Sequence, residues 1–334
     1  MSKFFRRFKR RKRRNSVTSR DLIDSHSREK KQICRTLSVE NIRDDKVVLS
    51  GAESAPDLAN FGIGDVLHGV NDWKVALYKE FSVLGHGSYS TVYRGLATQP
   101  HHKEVAVKWI TDSVHAKKTV EDEIAVHRQL EHENIVELYD WSQSPEAKFL
   151  ILELCREGAL KPSSGTRYTE LQRIHIMRDV ASALLHMHTK GFVHLDVKLS
   201  NVLLDDQRKA KLCDFGTSMR VADCTFVTRG SVKTISPEMF FCEGVGPPTD
   251  IYAFGVLSWE LLTSRIAYYS PETVCFSQFA HLRYIHEGDH YLNPDHVSNE
   301  DLQGVVSACL ARDPEARPTA AEVITTLNQI LNIE

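Results

Sequence analysis

The sequence predicts an α+β protein of two lobes, a β-rich small lobe followed by a mainly helical large one. Strand-like stretches crowd into residues 81–154, helical periodicity dominates beyond them, and the first 72 residues sustain little periodicity of either kind. Strands first and helices after is the order of a segregated α+β architecture.

Composition sets the outer limits. A chain of 334 residues with 42% hydrophobic and 26% charged residues has the volume and the make-up of a globular protein with a full core. It has no run of about 18 apolar residues, which argues against a membrane span, and its first residues are charged without an apolar stretch, which argues against a secretory signal. Seven scattered cysteines (34, 155, 213, 224, 242, 275 and 309) form no CxxC pair. Reduced thiols in the cytoplasm, or also the nucleus, are the expectation. The net charge of −2 conceals an asymmetry: residues 1–72 hold 16 basic and 10 acidic side chains, a surplus of +6, and residues 73–334 carry −8.

In chain order, residues 1–72 are rich in Ser, Arg and Asp and read as a basic, disordered segment. The ordered domain is expected over 73–334, with the small lobe ending near 155. "FSVLGHGSYSTVYRGL" (81–96) reads as strand, Gly-rich turn, strand, and "KEVAVKWI" (103–110) as a third strand. "SVHAKKTVEDEIAVHRQLE" (113–131) is a helix with Val120, Ile124 and Leu130 on one side. Further strands are expected at 135–141 and 148–154. "YTELQRIHIMRDVASALLHMHTKG" (168–191) places Leu171, Ile174, Met177, Val180, Ala181, Leu184 and Leu185 at helical spacing, with Gly191 positioned to end the helix. "NVLLDDQRKAKLCDFG" (201–216) reads as a hairpin.

Chemistry enters through spaced motifs. Gly85, His86 and Gly87 open a turn in which small residues would let backbone N–H groups approach phosphates, although an ordinary hairpin turn looks the same. A dinucleotide fingerprint is excluded because a strand follows the glycines. Lys108 ends the strand "VAVK". A strand lysine commonly points to water, but Glu123 in the next helix offers a partner, and an ammonium so held can grip nucleotide phosphates. Glu121 and Asp122 are the adjacent alternatives; the nine-residue spacing back from His132 favours Glu123. "HLDVKLSN" (194–201) brings Asp196, Lys198 and Asn201 together, or is an alternating strand ending in a polar turn. Asp214 of "DFG" could hold Mg2+, with Asn201 sharing a second ion.

The ordered set GxGxxS, VAVK, helical Glu, HxDxKxxN, DFG, "SPE" (236–238), "DIYAFGV" (250–256) and "RPT" (317–319) resembles the protein kinases over essentially all of residues 73–334. The resemblance implies ATP and Mg2+ held between a β-rich and a helical lobe. It implies that Lys108 pairs with Glu123 and the α- and β-phosphates, that Gly85, His86, Gly87 and Val92 cover the nucleotide, and that Asp196 takes the substrate proton. Lys198 would steady the γ-phosphate, and Asn201 and Asp214 would hold the metals. Ala106, Leu152 as gatekeeper, the hinge Glu153–Cys155 and Leu203 would face adenine. Ser231 corresponds to a threonine that bonds the catalytic Asp and Lys, and Lys198 two places after Asp196 marks the serine/threonine type. Glu238 and Arg317 would pair to brace the large lobe, and Asp250 would anchor the catalytic loop. Cys213 beside the DFG is either a small buried hydrophobe or an electrophile-reactive thiol; His186 and His188 read as helix packing and surface residues.

Leu195 stands where most kinases carry arginine, a residue that commonly receives a phosphate from the activation loop. Leucine cannot, so activation is expected not to depend on a phosphate docked there. With "VHLDVKLSNVLL", "CEGVGPPTDIYAFGVLSWELLT" and "NDWKVALYKEF", the leucine resembles the Mos kinases, germ-cell activators of MAP-kinase kinases. The arginine-rich N-terminus and "GSVKTISPE" depart from that group. The resemblance implies a protein substrate, a MAP-kinase kinase, and a monomeric enzyme with no nucleic-acid partner; another upstream serine/threonine kinase outside the Mos group is the alternative, since docking surfaces are diffuse in sequence. A pseudokinase scaffold would be expected to have lost Lys108, Asp196, Asn201 or Asp214, and none is lost. The leader "MSKFFRRFKRRKRR", with nine basic residues in fourteen, fits an importin-read nuclear signal, contact with an anionic membrane, or a solvated tail. Ser at position 2 rules out N-myristoylation. Ser16 and Ser38 follow arginines as basophilic phosphorylation sites do.

Overall fold

The computed structural model describes residues 66–77, 83–87, 90–110, 116–143, 148–224, 230–269, 278–287 and 292–332. The basic leader, Ser16, Ser38, Thr225 and Thr228 lie outside the described residues. An antiparallel sheet comes first: β1 (Val66–His68), β2 (Lys74–Leu77), β3 (Val83–Gly87), β4 (Ser90–Gln99), β5 (Lys103–Ile110), β6 (Leu138–Gln143) and β7 (Lys148–Glu153), in the order β1-β2-β4-β5-β7-β6 with β3 also on β4. Ten-residue β4 alternates half-buried and buried positions along its first eight residues. One of its edges is shared, β3 pairing from Ser90 to Tyr93 and β2 from Gly95 to Gln99. Two short strands on one long one let the sheet curl.

The sheet carries buried apolar residues on both faces. Trp73, Val75, Tyr93, Val105, Val107, Trp109, Phe149 and Ile151 form one cluster. Ile110 and Leu150 meet Val120 and Ile124 of α1 (Ala116–His127) on the other face. This helix is shorter than 113–131. Leu130 lies past its end, where it is buried among residues of the large lobe. Order also starts earlier than Trp73, for Val66 pairs with Ala76 and Leu67 is buried. A three-residue strand offers no measurable periodicity, so the sequence does not disclose its place in the sheet.

The large lobe is built on α2 (Glu170–Thr189), whose start is fixed by a capping box between Thr169 and Gln172. Ile174, Met177, Val180, Ala181 and Leu184 are buried as their spacing predicts, whereas Leu171 in the first turn is 57% exposed. Gly191 follows with φ of +78°, a left-handed position that suits glycine. Helices α3 (Pro237–Phe241), α4 (Pro247–Thr263), α5 (Gln278–Glu287), α6 (Glu300–Cys309) and α7 (Ala320–Leu331) complete it. From Thr249 to Leu262 every residue of α4 is buried, so this helix is the axis of the core. Arg317 reaches Glu238 through two 2.8 Å bonds, a geometry that satisfies both charges out of water. Small pairings line the cleft side: β8 (Gly158–Ala159) with β10 (Val202–Leu204), β10 with β11 (Ala210–Leu212), and β9 (Phe192–Val193) with β12 (Met219–Arg220). The protein is a two-lobed α+β fold, as its sequence predicts, and no described helix is long and apolar enough to cross a membrane.

Candidate active site

Strand alternation sends Val105, Val107 and Trp109 into the outer cluster, which leaves Ala106 and Lys108 on the opposite face of β5. Lys108 Nζ donates to Glu123 Oε1 at 2.7 Å and to Asp214 Oδ1 at 2.8 Å. Of the three consecutive acids on α1, Glu121 and Asp122 are exposed and Glu123 is the buried one that meets Lys108. Burial works against the Lys108 charge, but Asp214 and Glu123 outweigh it and hold its pKa well above that of an ordinary lysine. The Lys108 ammonium holds the Asp214 carboxyl down at about 2. Burial pushes Glu123 up, against the pull of Lys108. Asp214, itself at φ +66°, keeps a half-exposed side chain.

The catalytic-loop candidates converge across a second set of bonds. Asp196 Oδ1 accepts from the Ser231 backbone N–H at 3.0 Å and from the Ser231 hydroxyl at 2.9 Å. Lys198 Nζ donates to Ser231 Oγ at 2.7 Å and lies 3.1 Å from Asp196 Oδ2. Asn201 Nδ2 donates to the Asp196 backbone oxygen at 2.9 Å and to Asp196 Oδ2 at 3.0 Å. This spends the amide donors and leaves the Asn201 side-chain oxygen as an acceptor. The loop hangs from α4: Asp250, fully buried, accepts the His194 and Leu195 backbone N–H groups at 2.8 Å each. His188 Nε2 stands 2.9 Å from the same carboxylate, so His188 is a support of the loop and not a surface residue. His194 accepts the Asp196 N–H at Nδ1 and must therefore donate from Nε2, to the Cys213 carbonyl at 3.1 Å. Thr217 and Ser218 donate their hydroxyls to the His194 carbonyl, two contacts with no signal in the sequence.

The residues expected to face a nucleotide lie on neighbouring strands and just past their ends. Val92 sits opposite Lys108 between β4 and β5, and Ala106 opposite Leu152 between β5 and β7. Glu153 ends β7, Cys155 is buried two residues on, and Leu203 pairs with Lys211 and with Ala159. Gly85, His86 and Gly87 lie on β3, where a Cβ added to Gly85 would meet nothing within 4 Å. Leu84, half-exposed, is skipped by a register shift between Val83 and Gly85. Cys213 is a half-buried thiol whose pKa is pushed up by desolvation, and that of buried Cys155 is pushed up to about 12 by the same cause. Neither environment favours the reactive thiolate.

The residues present fit ATP and Mg2+. One lysine against two carboxylates leaves Lys108, Glu123 and Asp214 in need of a further cation, and the Asp214 carboxylate with the Asn201 amide oxygen is a hard-oxygen donor pair.

A family model described as the protein kinase domain matches residues 78–327. Among curated proteins, the chain is 28% identical over 261 residues to the serine/threonine-protein kinase PLK4 of Danio rerio, covering 75% of this chain and 27% of that protein. It is 29% identical to PLK4 of Drosophila ananassae over 257 residues, 74% of this chain and 32% of that protein. A probable LRR receptor-like serine/threonine-protein kinase of Arabidopsis thaliana is 29% identical over 276 residues, 75% of this chain and 29% of the relative. The chain thus spans about a third or less of the length of these relatives.

Proposed function

Because the chain belongs to the protein kinase family, we propose that it is an ATP-dependent serine/threonine protein kinase. The observation that carries the reading is the pairing of Lys108 with both Glu123 and Asp214, beside an Asp196 held by Ser231, Lys198 and Asn201. In this reading the substrate hydroxyl binds at Asp196, which orients it and takes its proton as the oxygen attacks the γ-phosphorus. The bond from that phosphorus to the β-phosphate oxygen breaks and ADP leaves. Lys198 offsets charge on the transferred phosphoryl group, and Lys108, steadied by Glu123, binds the α- and β-phosphates. Asn201 and Asp214 would hold Mg2+, which when bound would supply positive charge against the phosphates. Gly85, His86, Gly87 and Val92 cover the nucleotide while Ala106, Leu152, Glu153, Cys155 and Leu203 surround adenine. Ser231, bonded to Asp196 and Lys198 alike, supports a serine or threonine acceptor.

The finer reading is a Mos-like enzyme that phosphorylates a MAP-kinase kinase. It rests on Leu195 and on the stretches around the catalytic loop and α4; the relatives named above do not bear on it. A cytoplasmic site of action, with nuclear or membrane contact through residues 1–14, belongs to the same reading and is decided by fluorescent fusions with and without that segment.

The decisive experiment incubates the purified full chain and its Lys108→Met and Asp214→Asn variants with labelled ATP and inactive MAP-kinase kinases. We expect phosphoserine or phosphothreonine on a MAP-kinase kinase and a loss of at least about a hundredfold in either variant. Undiminished labelling by both variants would refute the catalytic assignment, and dominant phosphotyrosine would refute the acceptor class. Phosphorylation of a generic protein but of no MAP-kinase kinase would refute the Mos-like reading alone.

A further inference from the structure

A groove of about 350 Å3 lies between α2 and the turn that joins β10 to β11, and none of the active-site residues lines it. Buried Ile176 and half-buried Tyr168 supply its apolar part. Arg178, Arg208 and Lys209 bring three cations to it, although residues 73–334 carry a net −8. Leu171, 57% exposed, stands one turn before the lining residue His175 on the same side of α2.

The acids around the groove are engaged, and two of its cations are not. Asp179 accepts the Ala210 N–H at 3.1 Å, Asp205 Oδ1 accepts the N–H groups of Gln207 and Lys209, and Asp206 binds Arg156. Glu133 pairs with Lys209. Arg178 stands 3.7 Å from Asp179 Oδ1, beyond hydrogen-bonding reach. The Arg208 side chain has no hydrogen bond or ion pair among the described residues. Its backbone is held at φ +62°, a left-handed position that glycine or asparagine fills with less strain. A turn that had only to turn would gain nothing from arginine there, so the guanidinium needs a use of its own.

The hairpin ties this groove to the chemistry. β10 begins directly after Asn201 and β11 ends two residues before Asp214, so the hairpin with Arg208 at its tip is rooted in both candidate metal ligands. Arg208 follows Asn201 by seven positions, at most about 25 Å of extended chain.

We propose that this groove is a docking site for the protein substrate, and that it takes an acidic segment with a large apolar side chain among its carboxylates. The carboxylates meet Arg178 and Arg208, and the apolar side chain rests by Tyr168, Ile176 and Leu171. The acceptor hydroxyl, about seven or more residues away in the same polypeptide, then reaches Asp196. Such a site selects which proteins are used and adds nothing to phosphoryl transfer itself. Its use rests on the kinase reading, but its occupancy does not.

The test takes the full chain, a labelled short peptide alternating glutamate and leucine, and the matching peptide of lysine and leucine. Fluorescence anisotropy is expected to show the acidic peptide bound and the basic one free. Arg208→Gly, which suits the backbone and keeps the melting temperature, weakens that binding at least about fivefold, and Arg178→Gln does likewise. In kinase assays both variants raise KM for the whole protein substrate by a similar factor. Their kcat, their KM for ATP and their rate on a short peptide holding only the acceptor site stay as in the wild type. Equal binding of the two peptides, undiminished binding by either variant, or an unchanged KM for the protein substrate would overturn the proposal. Full displacement of the acidic peptide by inorganic phosphate at equal charge would overturn it too, as anion binding without a docked segment. An active chain that binds neither peptide sinks this proposal alone, and a chain that binds the acidic peptide but transfers no phosphate sinks the kinase reading alone.

Discussion

At the scale of single residues, Leu195 has the most to explain. It is 4% exposed and lies among Val193, Ile235, Met239 and Leu282, with Met219, Val221 and Val232 against the cluster. Its φ of +64° is left-handed, a conformation that costs a non-glycine residue about 1–2 kcal/mol. Two features hold it there: the Asp250 carboxylate binds its N–H, and Gly230, at φ +94°, approaches so closely that a Cβ there would stand 2.2 Å from the Leu195 carbonyl oxygen. Burying the leucine contributes about 1.5–3 kcal/mol, enough to offset the strain. An arginine at this position would bring a guanidinium into an apolar cluster without a partner. Leu195→Arg is expected to lower the unfolding free energy by about 3 kcal/mol or more, read from urea denaturation; a midpoint within error of the wild type would remove the cluster as the reason for leucine.

Among the elements, the activation segment shares that cluster, since Met219, Val221, Val232 and Ile235 all belong to it. Its base is tied by apolar packing and by β12 pairing with β9. Phosphatase-treated protein is therefore expected to keep its rate; an enzyme silenced by phosphatase and restored only by phosphorylation between 217 and 236 would contradict this. The elements differ in how plainly the sequence announces them. β5 matches "KEVAVKWI" residue for residue, and the hairpin of β10 and β11 falls where "NVLL" and "KAKL" alternate. Long runs with a clear period and strong breakers leave one solution. The two-residue strands β8, β9 and β12 exist only because tertiary neighbours pair with them, and Leu171 carries the helical period yet faces water because its turn overhangs the core.

For the whole molecule, pH exposes how the buried histidines are held. His127 and His286 are both kept neutral chiefly by burial, each with its pKa down at about 4 against an ordinary 6.5. A histidine whose folded pKa is lowered contributes stability that is present above about 6.5 and is lost as pH falls toward 4, because the unfolded chain binds the proton first. Unfolding should thus take up about 1.8 protons near pH 5, a slope of about 2.4 kcal/mol per pH unit; a melting temperature flat between pH 6.5 and 4.5 would refute it, and replacing both rings by apolar side chains should flatten the curve. Neither role is visible in the sequence, since an isolated histidine in a helix has no signature. Lys108, Glu123, Asp196, Asn201 and Asp214 are legible because their spacing along the chain recurs as a set. His188 meets the Asp250 carboxylate across 62 residues of chain, a contact that no spacing encodes.

Asp250 has a last consequence. Its carboxylate belongs to the deepest helix of the large lobe, yet its two oxygens hold the backbone of the loop on which Asp196 rides. Genetics would read such a residue ambiguously. A screen that scores lost signalling alone would group Asp250 and His188 with the chemical residues, and one that scores protein abundance would group them with the core. Alleles at these two positions are expected in both groups, because one buried carboxylate both fills the core and holds the backbone of the loop.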